Sequence, residues 1–267
     1  CQKIYYLRKK NPKYLFFSEN KKYQKYSYLI IETLAKKYPK DVYYVSSDIN
    51  DKIENIVVEN IFIGNGLLMN IFFLIIRAQN IFLTLTDLDN HVVKKTKNIG
   101  KYIYYFHAPV STTKIYTSTA FDNYDIILCN GDYHIDEIKK RERIKKIKEK
   151  KLIKTGYFYF DYLRDRLNTQ SEANEILIAP SWNYNQKDFI NENLEEIIQS
   201  VLDKGYTVKF RPHPESFKRS MQTINHFKKK FLNDKFTLDE SSENIRSMEN
   251  AKCLITDSSG IAIEFIL

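Results

Sequence analysis

The stretch Cys253–Phe265, which reads CLITDSSGIAIEF, decides the fold that we predict for this chain of 267 residues. Its first part is apolar and typical of a buried β-strand, and the apolar residues after Gly260 are typical of a helix. The turn between them, Asp257-Ser258-Ser259-Gly260, would leave backbone N–H groups at the start of that helix. A strand, a turn and a helix in this order form the repeating unit of an α/β fold, and such a turn can bind phosphate. Asp and Ser also begin many helices for structural reasons alone, and this alternative stays open.

The acidic residue Glu264 belongs to the same prediction. It follows Ser259 by about a turn and a half of helix, so its carboxylate could reach a ribose hydroxyl. If the turn binds a nucleotide phosphate, its donor-binding residues are Ser258, Ser259, Gly260 and Glu264.

A second stretch, Thr207–Glu215, reads TVKFRPHPE and predicts a strand that ends in Arg211 and His213. The prolines on both sides of His213 restrict the backbone, so this histidine is held in a rigid loop at the carboxyl end of a strand. Ligands of open α/β sheets bind at such ends. Arg211 and His213 could therefore neutralise the phosphates of a nucleotide donor.

These two motifs together resemble the CDP-glycerol glycerophosphotransferase family, the teichoic-acid polymerases. The similar residues are Arg-Pro-His-Pro at 211–214, Thr-Asp-Ser-Ser-Gly at 256–260, the acid and Phe at 264–265, and Ala-Pro-Ser-Trp at 179–182. The resemblance implies a GT-B fold, with two Rossmann-like lobes built on parallel sheets and a nucleotide-diphosphate donor held by the C-terminal lobe. It also implies the transfer of glycerol phosphate, or a similar polyol phosphate, from a CDP-activated donor to a hydroxyl group. The acceptor would be a cell-surface polymer or its lipid-linked precursor, and CMP would leave.

The turn at 257–260 departs from the family pattern. Ser258 stands where the family has an aromatic residue, and Gly260 replaces the second residue of a serine pair. The turn also resembles the Asp-Ser-Gly-Gly of UDP-N-acetylglucosamine 2-epimerases, which share the GT-B architecture. A GT-B nucleotide-sugar glycosyltransferase or UDP-sugar 2-epimerase-like enzyme, and a non-catalytic membrane-associated partner, are therefore the alternatives. The complete Arg-Pro-His-Pro motif favours the transferase.

Strand and helix patterns alternate along the whole chain, which predicts parallel sheets. We predict an N-terminal acceptor-side lobe at residues 1–168 and a C-terminal donor-binding lobe at 173–267, separated by the polar run 168–172. The C-terminal lobe is expected to be incomplete, because the chain stops soon after Phe265. The N-terminal strands are predicted at 14–18, 42–46, 55–63, 81–86, 102–106 and 124–130, and 67–76 is predicted to be a buried helix.

His107 is the candidate general base. It follows the strand predicted at 102–106 and precedes Ala108 and Pro109, and a neutral imidazole at a strand end suits the removal of a proton from a hydroxyl. The family has a catalytic His followed by Gly in its N-terminal lobe, and His107 is the residue most similar to it, although Ala108 replaces the Gly. The alternative is a histidine that caps a strand among aromatic residues. The remaining histidines, in polar surroundings, need no function: His91, His134 and His226.

A metal site is not predicted. Asp87-Leu88-Asp89 has the Asp-x-Asp pattern with which another glycosyltransferase fold holds a metal, but such short acidic patterns are common in loops. Fixed cations and helix N–H groups can neutralise a leaving phosphate without a metal, so we predict neither a metal nor a cofactor.

The net charge of +9 is concentrated in the segment Lys139–Lys151, which has nine basic and two acidic residues. A solvated helix face explains many such runs, and nucleic acid is disfavoured because no binding motif accompanies the run. Because the acceptors of the family are lipid-linked, we predict attraction to an anionic membrane surface and no nucleic-acid partner. The three cysteines are odd in number and two lie in apolar runs, which indicates reduced thiols. The predicted location is the cytoplasm, at the inner face of the cell membrane.

Overall fold

The computed structural model of the chain describes residues 2–90, 93–166, 174–182, 192–231, 233–241, 244–257 and 259–266. Contacts between Cα atoms divide the chain into two compact units, Cys1–Tyr162 and Leu163–Leu267. Each unit is built on a parallel β-sheet with helices between its strands, so the predicted α/β fold is confirmed. The polar run 168–172, where the lobe boundary is predicted, lies outside the described residues.

The sheet of the first unit has seven parallel strands in the order β3-β2-β1-β4-β5-β6-β7. Its strands are β1 Tyr14–Ser18, β2 Val42–Ser46, β3 Glu59–Phe62, β4 Ala78–Leu83, β5 Ile99–Tyr105, β6 Ile126–Cys129 and β7 Lys151–Lys154. Its helices are α1 Gln2–Lys10, α2 Gln24–Lys37, α3 Leu67–Ile75, α4 Asp132–Lys145 and α5 Phe158–Arg164, the last of which continues across the boundary between the units.

Side chains that alternate along β1 enter two different cores. Phe16 stacks on Phe82 at 4.3 Å between ring centroids, in the core that includes Ile31 of α2. Phe17 meets Phe73 of α3 edge-on at 4.9 Å, in the core on the other face. The sheet is therefore buried on both faces, as is usual for a parallel sheet, and its side chains can reach a ligand only at the strand ends.

Two predictions for the first unit need correction. The helix predicted to be buried, α3, buries Phe72 and Phe73, but its Leu67 is 74% exposed. The strand predicted at 55–63 is reduced to β3, because Asn55 has a left-handed backbone with φ 64°. The side chain of Asn60 also accepts the N–H of Ile53 at 2.7 Å and thereby holds the preceding segment as a loop.

The sheet of the second unit has four parallel strands in the order β10-β9-β8-β11. They are β8 Glu175–Ile178, β9 Thr207–Phe210, β10 Phe236–Leu238 and β11 Ala251–Ile255. Its helices are α6 Glu192–Asp203, α7 Ser216–Arg219, α8 Met221–Lys230, α9 Ile245–Glu249 and α10 Ile261–Glu264.

The last strand, β11, differs from the buried strand that the sequence predicts. It lies at the edge of the described sheet, and Lys252 and Cys253 are exposed. Neither β10 nor α9 is predicted from the sequence, because three and five residues are too few to show a strand or helix period. The single helix predicted near 217–231 is interrupted at Ser220, between α7 and α8.

The order of strands reverses at one point in each sheet. In the first unit the chain goes outward from β1 to β3 and then returns to place β4 on the other side of β1. In the second unit it goes outward from β8 to β10 and then places β11 on the other side of β8. Ligands of open α/β sheets bind outside the carboxyl ends of strands at such reversal points, so each unit has one favoured position for a site. Among the described residues, none of the helices has both the length and the apolar composition needed to cross a bilayer.

Candidate functional site

The carboxyl ends of β8 and β11 are joined by the side chain of Asp257. Its Oδ1 accepts the backbone N–H of Ser181 at 2.7 Å, and its Oδ2 accepts the Ser181 hydroxyl at 2.6 Å. Beside them, the Thr256 hydroxyl donates to the carbonyl of Ala179 at 2.6 Å. These bonds, which we call the Asp257 clasp, fix both loops at the reversal point of the second sheet. The carboxylate that the sequence places in a phosphate-binding turn therefore holds the neighbouring loop.

The turn after the clasp leads into α10. Ser259 and Gly260 are half-buried, and their carbonyls accept the first N–H groups of α10 at 3.1 Å, while Ser258 lies outside the described residues. The described part of α10 has only four residues. The field that a helix N-terminus exerts on an anion comes from aligned peptide dipoles, and a single turn produces little of it. An anion at this turn would therefore depend mainly on hydrogen bonds from individual N–H groups.

Arg211 follows β9 directly, and its guanidinium is held by the loop after β10. Nη1 donates to Asp239 Oδ2 at 2.6 Å and to the Ser241 hydroxyl at 3.0 Å, and Nη2 donates to the Ser241 carbonyl at 3.0 Å. Burial raises the pKa of Asp239, but hydrogen bonds from Ser241 and Ser247 and the charge of Arg211 outweigh it and leave the pKa below its ordinary value. Asp239 therefore compensates the charge of Arg211. The phosphate contact predicted for Arg211 stays a prediction, and it would have to compete with this ion pair.

His213 lies in the loop after β9, where the sequence places it. Its Nδ1 accepts the backbone N–H of Glu215 at 3.1 Å, so the neutral ring carries its proton on Nε2 and can donate a hydrogen bond from there. The indole of Trp182, which follows β8, lies nearly parallel to the imidazole, with 6.5 Å between the centroids. Arg219 covers the same indole at 4.9 Å, so an aromatic surface with a cation lies beside His213.

Glu264 of α10 is only 5% exposed. Its Oε2 accepts the side-chain amide of Asn244 at 2.7 Å, and this buried hydrogen bond links α10 to the start of α9. The ribose contact predicted for Glu264 stays a prediction. It would require the carboxylate to exchange this internal partner.

His107 of the first unit is half-buried at the end of β5, among tyrosine rings. Its imidazole meets Tyr23 and Tyr116 edge-on at 5.5 and 6.2 Å between centroids, and Tyr26 lies at 6.1 Å. Burial raises the pKa of Tyr116 to about 12, so this phenol stays protonated at neutral pH. We call the surrounding group the tyrosine cluster; its members are Tyr23, Tyr26, Tyr116, Tyr157 and Tyr159.

The loop that follows His107 is fastened to α4 by two side chains that the sequence did not single out. Nε2 of His134 donates to the carbonyl of Val110 at 2.8 Å, while its Nδ1 accepts the N–H of Asn130 at 3.2 Å. The carboxylate of Glu137, on the next turn of α4, accepts the Ser111 hydroxyl at 2.7 Å and the Thr112 N–H at 2.6 Å. Helix α4 thus determines where the loop after His107 lies.

The polar surroundings predicted for His134 are wrong. The residue is fully buried, and its ring stacks on Phe106 at 3.8 Å. Burial lowers its pKa, although the bond to Val110 and the charge of Glu137 oppose this effect. His91, for which no function is predicted, lies outside the described residues, and His226 is a half-exposed residue of α8 that contacts Glu195 at 3.0 Å.

The two aspartates of the Asp-x-Asp pattern accept hydrogen bonds from other residues of the first unit. Asp87 accepts the hydroxyls of Thr117 and Thr119 at 2.8 and 2.7 Å, and Asp89 accepts the N–H of Lys95 at 3.1 Å. Across the described ranges there is no group of three or more His, Cys, Asp or Glu side chains that could hold a metal ion. Both carboxylates therefore have structural roles in the segments around β4 and β5.

The basic segment Lys139–Lys151 is a continuous helix only in part. Helix α4 ends at Lys145, and Lys146 has a left-handed backbone with φ 50°. Lys150 forms a buried ion pair with Glu142 at 3.2 Å, and Arg141 forms an ion pair with Asp122. The other basic residues of the segment are exposed: Lys139, Lys140, Arg143, Lys145, Lys146, Lys148 and Lys151.

We predict that His134 makes the first unit sensitive to mild acid. In the unfolded chain a histidine binds a proton with a pKa of about 6.5, whereas the folded pKa is lower, so the unfolded state binds more protons as the pH falls below 7. Folding stability should therefore decrease from pH 7 to 5, and replacement of His134 by Gln should reduce this decrease by up to about 1.4 kcal/mol per pH unit. Urea unfolding followed by circular dichroism at both pH values measures the effect. His226→Gln is the control, and an equal pH dependence in all three proteins would contradict the prediction.

Comparison with known proteins shows a similarity of fold. No protein-family model and no curated protein sequence matches it. The wall teichoic acid polymerase TagF superposes with a TM-score of 0.57 and 16% identity over 97% of this chain and 69% of that chain. UDP-GlcNAc 2-epimerase from Methanocaldococcus jannaschii, in complex with UDP-GlcNAc and UDP, gives 0.64 and 16% over 93% and 80%. MnaA from S. aureus, with UDP, gives 0.62 and 11% over 95% and 77%. The chain is thus similar in fold to enzymes of two different activities.

Proposed function

We propose that the protein is a GT-B transferase that moves glycerol phosphate, or a similar polyol phosphate, from a CDP-activated donor to a hydroxyl group. The acceptor is a cell-surface polymer or its lipid-linked precursor. The donor binds to the C-terminal lobe, residues 173–267, and the acceptor binds to the N-terminal lobe, residues 1–168. No cofactor is required.

One observation carries this proposal. The loop Arg211-Pro212-His213-Pro214 lies at the carboxyl end of β9, beside the Asp257 clasp that joins β8 and β11. The N–H of Arg211 donates to the Ile178 carbonyl at 2.8 Å, so this loop adjoins the end of β8 at the reversal point of the sheet. Two motifs of the resemblance, the loop at 211–214 and the turn that begins with Asp257, thus lie at strand ends where the fold favours a ligand.

His213 is proposed to stabilise the charge that develops on the departing phosphate. In the neutral ring the proton is on Nε2, because Nδ1 accepts the N–H of Glu215, and an Nε2–H group is the kind of donor that stabilises such a charge. The turn at Ser258, Ser259 and Gly260 would add hydroxyl and backbone donors. Arg211 contributes by holding the loops after β9 and β10 together through Asp239, and its own charge reaches the phosphate only if that ion pair rearranges.

His107 is proposed to act as the general base. The imidazole takes the proton of the acceptor hydroxyl as its oxygen bonds to the β-phosphorus of the donor. The bond from that phosphorus to the bridging oxygen then breaks, and its electron pair leaves with CMP. His134 and Glu137 support this step by fixing the loop that follows His107.

A second candidate is a UDP-sugar 2-epimerase-like enzyme or another GT-B enzyme of nucleotide sugars. Two observations favour it: the Asp-Ser-Ser-Gly turn at 257–260 and the TM-score of 0.64 to an epimerase that holds UDP-GlcNAc and UDP. A non-catalytic partner that keeps both lobes is the third. The identity of the bound nucleotide distinguishes the transferase from the nucleotide-sugar enzyme. Formation of a product distinguishes both enzymes from the non-catalytic partner.

We expect a cytidine nucleotide to stabilise the full chain more than a uridine nucleotide. A ligand that binds only the folded state stabilises it more as the ratio of its concentration to its dissociation constant rises, so the shifts in melting temperature with CDP and UDP at equal concentration rank the two affinities. The measurement is thermal unfolding with CDP, UDP and, as a control, ADP. A shift with UDP alone would move the assignment to the nucleotide-sugar enzymes.

Replacement of the two histidines should have different effects on binding and turnover. His213→Ala should weaken donor binding about threefold to tenfold, the contribution of a neutral hydrogen bond, and slow the reaction further. His107→Ala should leave donor affinity unchanged and reduce turnover by about 10²–10⁴-fold. Calorimetry with CDP-glycerol and single-turnover rates measure the two effects, and His226→Ala is the control. Full turnover in His107→Ala would show that this histidine is structural.

The exposed basic residues of Lys139–Lys151 should bind an anionic membrane surface. Each such residue near the surface contributes about 1 kcal/mol, so Lys145→Glu, Lys146→Glu and Lys148→Glu together should greatly weaken binding to phosphatidylglycerol vesicles. A matched triple replacement with Glu at Lys36, Lys37 and Lys40, near the end of α2, should have little effect. Vesicle sedimentation at low and physiological salt measures both. An equal loss in the two triple variants would contradict a specific surface.

A further inference from the structure

The tyrosine cluster is assembled from three separate segments of the first unit. Tyr23 and Tyr26 follow β1, Tyr116 lies in the segment after β5, and the remaining two members follow β7. Tyr159 meets Tyr26 edge-on at 5.2 Å, and the hydroxyl of Tyr157 donates to the carbonyl of His107 at 3.0 Å. Because β1 borders the reversal point of its sheet, these rings converge where the fold favours a ligand.

Two of the rings nearest His107 also pack against the cores of the sheet faces, Tyr26 on one face and Tyr116 on the other. Tyr23, Tyr26 and Tyr116 are half-buried, so each presents some of its surface to solvent. A tyrosine ring combines a flat apolar face with a hydroxyl that can donate or accept a hydrogen bond. A sugar ring has the matching chemistry, with apolar C–H groups on its faces and hydroxyls at its rim. Concave sites that combine aromatic walls with few polar groups are typical of small-molecule binding.

A cation lies against the same rings. Nζ of Lys25, in the first turn of α2, lies 5.1 Å from the centroid of Tyr26 and 4.6 Å from that of Tyr159. Lys21 and Lys22, just before it, are exposed. Four acids lie in the same segments. Glu19 is half-buried, and Asp48 accepts the N–H groups of Lys21 and Asn50 at 3.4 and 2.9 Å. Asp51 is buried and accepts the side-chain amide of Gln24 at 2.9 Å, and Asp161 of α5 is exposed. Lys25 is thus the cation that lies directly against the rings, and its ammonium group suits a phosphate.

We propose that the tyrosine cluster and Lys25 form a binding subsite for a sugar phosphate. The sugar ring lies against Tyr23 and Tyr26 with its phosphate toward Lys25, and one of its hydroxyls faces His107. This inference rests on the proposed role of His107 as the base, and it names the acceptor class of the reaction as a phosphorylated sugar. The same chemistry would also be found in the sugar of a nucleotide-sugar donor, and the test separates these sources.

The test uses the full chain with glucose 1-phosphate, glucose, inorganic phosphate and UDP-glucose as probes, by calorimetry and saturation-transfer NMR. Glucose 1-phosphate should bind at least about tenfold more tightly than glucose or phosphate, because the rings and the cation act on one molecule. Equal affinity for inorganic phosphate and glucose 1-phosphate would overturn the proposal. If UDP-glucose competes with glucose 1-phosphate and CDP does not, the occupant is a donor sugar and the acceptor assignment is overturned. If neither competes, the acceptor assignment is supported.

Two variants test the residues. Lys25→Gln should reduce the affinity for glucose 1-phosphate about tenfold and leave that for glucose unchanged, because a charged hydrogen bond to phosphate is lost. Tyr23→Ala should weaken both sugars. The matched controls are Lys36→Gln, on the same helix, and Tyr5→Ala, an exposed tyrosine of α1. Wild-type affinity in both Lys25→Gln and Tyr23→Ala would overturn the proposal.

Binding of CDP, measured on the same proteins, separates this inference from the proposed function. CDP should bind Lys25→Gln as it binds the wild type, since the donor is proposed to bind the second unit. CDP binding without sugar-phosphate binding would overturn the subsite and leave the transferase standing. Sugar-phosphate binding without CDP binding would support the subsite and overturn the CDP-dependent reaction.

Discussion

In both units the candidate functional side chains lie at the carboxyl ends of parallel strands, and in the first unit the two faces of the central strands are covered. Phe16 and Phe17 of β1 enter cores on opposite faces, and helices close both of them. At the point where the strand order reverses, the loops that follow the two neighbouring strands run in opposite directions and leave a crevice between them. His107 with the tyrosine cluster adjoins one reversal point, and the Asp257 clasp spans the other. The position of the candidate sites thus follows from how the sheets are buried.

The acidic residues near these sites hold loops in place. Asp257 joins the loops after β8 and β11, Asp239 holds Arg211, and Glu137 fastens the loop after His107. These carboxylates are half-buried, and the hydrogen bonds that they accept offset the cost of removing their charge from water. They thereby fix the positions of these loops. In the basic segment, Glu142 likewise forms a buried ion pair with Lys150, whereas the other lysines of the segment are exposed to solvent.

The histidines illustrate how environment assigns roles. His134 is buried and neutral, with both ring nitrogens used to position backbone. His213 uses Nδ1 in the same way, but its ring is half-buried and keeps its proton on Nε2, so it can act on a ligand. His107 is surrounded by phenols that supply hydrogen-bonding groups and flat surfaces. These differences support one positioning histidine, one donor-side histidine and one acceptor-side base within the proposed reaction.

The sequence by itself determined the α/β class, most strands and the two loops that contain Arg211, His213 and Asp257, because apolar periodicity, prolines and strand ends are local signals. Tertiary structure alone decided what those residues contact. Asp257 and Ser181 are 76 residues apart, and Arg211 and Asp239 are 28 apart, so no local pattern connects them. The burial of His134 and the exposure of Cys253 likewise depend on neighbours from other segments: Phe106 covers the first, whereas β11 is the last described strand of its sheet. Local signals fix where a strand ends, but hydrogen-bond partners and burial are properties of the assembled chain.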